Sequence, residues 1–124
     1  MNAVWVALGG GLGAVARYWT DAWFTRLVGA GFPWGTLTIN VVGSAAIGIW
    51  FALTPPTRAA TAGHLFVVVG VLGGFTTFSA FSMQTLALAQ AGEWARAAGY
   101  IAGSVVLCLA GAWAGFGLAA AVRG

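Results

Sequence analysis

Charged residues are scarce in this chain: two acids, no lysine and five arginines make up 6% of 124 residues, against roughly 25% in a soluble domain. Hydrophobic residues reach 60%, so the composition belongs in a bilayer. A cleavable signal peptide would be followed by a polar mature domain, whereas the apolar character here runs to the C-terminus. The expectation is one transmembrane domain over residues 1–124. The single cysteine, Cys108, excludes an intrachain disulfide and, inside an apolar run, reads as a small hydrophobe. The lone His64 lacks partners for a metal site. Asp21 and Glu93 adjoin expected helix boundaries, where a carboxylate is solvated or caps a helix rather than coupling to protons. Without a nucleophile, base or metal cluster at recognisable spacing, the chain is not expected to be an enzyme. The arginines are spread singly, which excludes nucleic acid as a partner.

Proline is also rare, and the three that occur punctuate. A bilayer-crossing helix needs about 20 mainly apolar residues. The first span is expected from about Ala3 into Arg17-Tyr18-Trp19, with an interfacial continuation through Trp23 and Phe24 toward Arg26, ended by the segment from Gly29 to Pro33. The second covers roughly Trp34 to Leu53 and stops at Thr54-Pro55-Pro56-Thr57, with Arg58 at the turn. The third runs from about His64 to Ala91, and the fourth from about Trp94 to Ala121. Trp19, Trp23, Trp34, Trp50 and Trp94 fall near span ends, as an aromatic belt would.

Small residues four apart mark a packing face on each span: Gly9 and Gly13, Ser44 and Gly48, Gly70 and Gly74, Gly99 and Gly103, Gly111 and Gly115. Four spans with short loops make a thin bundle, so oligomerisation is expected. The N-terminus, Arg58 and Arg123 would share one side and Arg26, Arg96 and Arg17 the other, leaving almost no positive-inside bias. Both insertions are then open, and an antiparallel homodimer with its two-fold axis in the membrane plane becomes possible.

Weakly polar groups at depth carry the functional signal. Asn40, within Gly35-Thr36-Leu37-Thr38-Ile39-Asn40-Val41-Val42-Gly43, must face a partner helix or an ion. Tyr100, Ser104 and Cys108 follow one another at helical spacing, although a serine can simply bond its own helix. Phe78 and Phe81 share one side of a helix, either as core or as ring edges toward an anion. Gly73-Gly74 followed by Thr76-Thr77 would let the third helix break, freeing carbonyls suited to a cation and amides suited to an anion. The residues alone do not choose between these ions.

The stretches Gly10-Gly11-Leu12-Gly13-Ala14-Val15-Ala16-Arg17-Tyr18, residues 35–43 as above, and Gly73-Gly74-Phe75-Thr76-Thr77-Phe78-Ser79-Ala80-Phe81-Ser82 together resemble the Fluc/CrcB fluoride channels in order and spacing. The resemblance implies an all-α membrane protein of four transmembrane helices, the third broken near its middle. It further implies an antiparallel dual-topology homodimer, multi-pass in the cell inner (plasma) membrane, that lets fluoride out passively. Asn40, Phe78, Phe81, Ser79, Tyr100 and Ser104 match fluoride-pathway positions, and Arg17 matches a vestibule arginine. Gly73 and Thr76 match positions whose backbone carbonyls hold a structural sodium ion at the interface. The chain departs from the pattern at Ala80, where threonine is usual, at Gln84, where glutamate is common, and at Cys108, where a hydroxyl often continues the polar track. A small multidrug-resistance type exporter needs an acid within the first span, and no acid precedes Asp21. A non-transporting assembly subunit would give no reason to bury Asn40 beside a broken aromatic helix.

Overall fold

The computed structural model describes residues 2–55 and 61–124; Pro56, Thr57 and Arg58 of the expected turn lie outside them. The described residues are helical or lie in short turns and links, with no strand among them. Helix α1 spans Asn2–Val28 and α2 spans Trp34–Leu53. The third stretch is built in pieces: a first turn α3 (Ala62–His64), a π-helical segment (Leu65–Leu72), one turn α4 (Gly73–Phe75), and, beyond an interruption, α5 (Phe78–Gln90). Helix α6 spans Trp94–Arg123.

Local chemistry sets these ends. Gly29 closes α1 at φ 78°, a left-handed conformation that glycine adopts without a Cβ penalty, and its N–H donates to Thr25 O at 2.9 Å. Gly92, also at φ 78°, closes α5 as a Schellman motif: Gly92 N–H reaches Ala89 O at 3.0 Å and Glu93 N–H reaches Leu88 O at 2.9 Å. The wider π coil shows in Gly73 N–H, which donates to Val68 O five residues back.

Among the described residues, three stretches are long and apolar enough to cross a membrane: Trp34–Leu53, Ala62–Gln90 and Trp94–Arg123. Helix α1 is long enough at 27 residues, but its glycines and Arg17 dilute its apolar character. It also runs unbroken to Val28, with no division between a span and an interfacial helix. Asp21, expected at a boundary, therefore lies inside α1. Its carboxylate sits over Gly35 in the first turn of α2, where the helix dipole favours an anion.

Glycine decides which helices touch. A Cβ on Gly9 would overlap the Phe66 carbonyl oxygen, and one on Gly13 the Val71 carbonyl oxygen, so α1 lies directly against the π segment. Gly48 meets Ala112 and Gly115 meets Ala45 in the same manner, which joins α2 along α6. Gly99 and Gly103 have open space where a Cβ would be and so form no packing face within the chain. The two ends are tied by arginines: Arg96 Nη1 donates to Gly31 O at 3.4 Å, and Arg123 Nη1 donates to Ala52 O at 2.5 Å. The α1–α2 turn thus shares an end with the α5–α6 turn, and the C-termini of α2 and α6 share the other.

Candidate functional site

The interruption at Thr76-Thr77 is the centre of the site. Both residues are extended, with ψ 156° at Thr76, and φ −151° and ψ 120° at Thr77, whereas Gly73 is an ordinary right-handed helical residue. Within the stretch Gly73-Gly74 to Thr76-Thr77 where a break is expected, the interruption falls at the threonines. Gly74 serves close approach instead, since a Cβ there would overlap the backbone of Gly10. Threonine suits the break because its hydroxyl can replace a backbone partner. Thr77 Oγ1 accepts from Ala80 N–H at 3.1 Å as the N-cap of α5, and Thr76 Oγ1 donates back to Leu72 O at 2.9 Å.

Asn40 on α2 completes the break. Its Nδ2 donates to Thr77 O at 3.1 Å and its Oδ1 accepts from Thr77 N–H at 2.9 Å, a two-point bond that fixes which way the amide faces. The result bears on two carbonyls. In an unbroken helix Thr77 N–H would serve Gly73 O and Ala80 N–H would serve Thr76 O; here Asn40 and the Thr77 hydroxyl take those donors. Gly74 O, by contrast, accepts from Arg17 Nε at 3.1 Å. Arg17 thus holds the end of α4 from the α1 side.

Beside the break lies a groove of about 470 Å³, open to the chain's surface. Asn40, Gly73, Thr76, Phe78, Phe81 and Ser104 all line it, and so do Ser44 and Cys108. None of its described lining residues is charged. Phe78 exposes 78% of its surface and stands 5.2 Å from Phe81, ring centre to ring centre, at 42°. Phe81 continues to Tyr100 at 5.0 Å, and Tyr100 to Phe32 at 5.5 Å. Tyr100 is 1% exposed and backs the aromatic row rather than lining the groove. Ser79 is exposed, its Oγ 3.3 Å from Thr77 Oγ1.

Two buried polar features stand out. Ser104 Oγ has no hydrogen-bond partner among the described residues although the residue is 6% exposed. It does not bond back to its own helix, and it borders the groove. Gln84 Nε2 donates to Thr36 Oγ1 at 2.9 Å, and Tyr100 OH donates to Gln84 Oε1 at 2.8 Å. The sequence marked Gln84 only as a departure and left Thr36 unassigned; polar side chains at membrane depth on two facing spans were the available signal. A second, more polar cavity of about 500 Å³ at the α1–α2 turn is bordered by Asp21, Gln84, Glu93 and Arg96. Glu93 is exposed and pairs with Arg96 at 3.6 Å. His64 lies 6.1 Å from the Trp50 ring at the other end. Among the described residues no cluster of His, Cys, Asp or Glu could hold a metal.

A broken third stretch, an asparagine clamp and paired phenylalanines coincide with a family model. The one described as "CrcB-like protein, Camphor Resistance (CrcB)" matches residues 4–116. The chain belongs to the CrcB family. Its relatives within that family include a protein of Opitutus terrae, 50% identical over 115 residues that cover 90% of this chain and 87% of the relative. Another, from Methylocella silvestris, is 46% identical over 126 residues and covers 99% and 96%. One from Thermus thermophilus is 48% identical over 119 residues and covers 96% and 94%. All three CrcB relatives are named fluoride-specific ion channel FluC.

Proposed function

We propose that this chain is a fluoride-selective channel that lets fluoride leave the cell passively through an antiparallel, dual-topology homodimer in the inner membrane, with α1 as a fourth crossing. The observation that carries the reading is the uncharged groove in which Asn40, Phe78, Phe81 and Ser104 converge on a broken helix, in a chain of the CrcB family. Ring edges and hydroxyl or amide protons can replace part of an anion's hydration without a fixed charge to trap it. Ser104 supports this role because its buried hydroxyl has no partner among the described residues. Asn40 uses one of its two N–H groups on Thr77 and keeps the other for the groove. Arg17, partly buried on α1 where it holds Gly74 O, adds attraction for anions.

The dimer rests on three supports: the near-balanced arginines at the two ends, the groove open on one side, and the exposure of Phe78. A second copy would cover that ring and close the path. Gly73 and Thr76 fit a sodium ion, since their carbonyls have lost their helical donors and carbonyl oxygen is the ligand type a hard cation takes. Bound there, sodium would neutralise the negative ends of the interrupted helices. Release of fluoride from loaded liposomes tests the reading: rapid fluoride loss without chloride loss is expected, and equal loss of both rejects selectivity. Dual topology is tested by a cysteine at Ala30 in a Cys108→Ser background. Labelling from both membrane faces is expected, and labelling from one face alone rejects it.

A further inference from the structure

We infer that Asn40 is the positioning residue that keeps the Gly73 carbonyl available to a cation, so that one side chain couples the anion groove to the cation site. The inference rests on the sodium reading above. Gly73 O would ordinarily accept from Thr77 N–H. That donor instead points at Asn40 Oδ1, 2.9 Å away, while Asn40 Nδ2 holds Thr77 O at 3.1 Å. The side-chain amide acts as a one-residue strand partner, pairing with both backbone groups of an extended residue. The contact from Thr77 N–H to Asn40 Oδ1 keeps that donor from Gly73 O, and the bond from Asn40 Nδ2 to Thr77 O adds to the hold on the extended residue at φ −151°.

Other features near the break cannot do this work. Thr77 Oγ1 serves Ala80 N–H, Thr76 Oγ1 serves Leu72 O, and Arg17 serves Gly74 O. Without Asn40, Thr77 N–H is left in an apolar setting with Gly73 O as its natural acceptor. Closing that bond removes a cation ligand. Asn40 therefore reaches the cation site through Thr77, and its effect on sodium is separable from any contact it makes with a passing anion.

The test is sodium-dependent thermal stabilisation of the purified full-length protein, with N-methylglucamine chloride replacing sodium chloride to hold ionic strength. Asn40→Leu removes both contacts, and Asn40→Ser has a hydroxyl that stops short of Thr77; Ser remains informative where Leu fails to fold. Both lose the acceptor for Thr77 N–H and should need at least about tenfold more sodium for half-maximal stabilisation, the scale of a lost buried hydrogen bond. Asn40→Asp loses the bond to Thr77 O but keeps an acceptor for Thr77 N–H, the contact that frees Gly73 O, and should stay within about threefold of the parent protein. A parent-like sodium response in Asn40→Leu or Asn40→Ser overturns the inference while leaving the sodium reading intact. Absence of any sodium response in the parent protein overturns the sodium reading and the inference together.

Discussion

Replacing Phe78 with isoleucine separates ring chemistry from ring packing more cleanly than any other change in the groove. Phe78 exposes 78% of its surface within the chain and has one ring neighbour, Phe81 at 5.2 Å. Phe81 has two, Phe78 and Tyr100 at 5.0 Å. At about 0.5–1.5 kcal/mol for each aromatic pair beyond area burial, Phe78→Ile should cost the chain roughly 1 kcal/mol of stability and Phe81→Ile about twice that. Isoleucine retains most of the apolar bulk, so little cavity is opened. If a ring edge contributes about 1.4 kcal/mol to an anion in transit, its loss slows passage about tenfold. The assay is fluoride release from liposomes alongside size-exclusion profiles of the same proteins. Tenfold slower release from Phe78→Ile with an unchanged profile is expected. Wild-type release from both isoleucine variants would refute the ring-edge argument and return these residues to packing.

Thr77→Val keeps the branched shape but removes the hydroxyl that caps α5, so thermal unfolding should show a loss of about 1 kcal/mol; a loss below about 0.3 kcal/mol would deny the cap its role. Gly115→Val would drive a side chain into the Ala45 carbonyl oxygen and should destabilise by about 1–3 kcal/mol or more, while Gly117→Val meets open space and should leave unfolding unchanged. Tyr100→Phe strands Gln84 Oε1 and should cost about 1–3 kcal/mol; adding Gln84→Met should recover part of that, and no recovery would show that the carbonyl was never unsatisfied.

Helix ends were legible where the chain is punctuated. Pro33 and Pro55 bracket α2, which runs from Trp34 to Leu53 as the sequence indicates, and Gly92 ends α5 because only its missing Cβ makes the left-handed turn easy. The interruption was legible within the stretch from Gly73-Gly74 to Thr76-Thr77, but the residue that holds it was not: Asn40 stabilises extension at Thr77, a contact 37 residues away in sequence. Tertiary contacts of this kind leave no local trace. The same holds for Gly99 and Gly103, whose spacing matches that of Gly9 and Gly13 but whose face meets no other helix of the chain. Of the candidate site residues, Asn40, Phe78, Phe81, Ser104, Gly73 and Thr76 gather at one groove because helical periodicity places them on facing sides. Tyr100 and Ser79 fall outside it. The Thr36–Gln84–Tyr100 chain went unread because it spans three helices.

The most direct measurement of the central claim is the reversal potential of the reconstituted protein in a planar bilayer with a tenfold fluoride gradient and equal chloride on both sides. Selective fluoride passage places the reversal at the fluoride equilibrium potential, about 59 mV in magnitude. Reversal near zero, where chloride balances, would contradict the account.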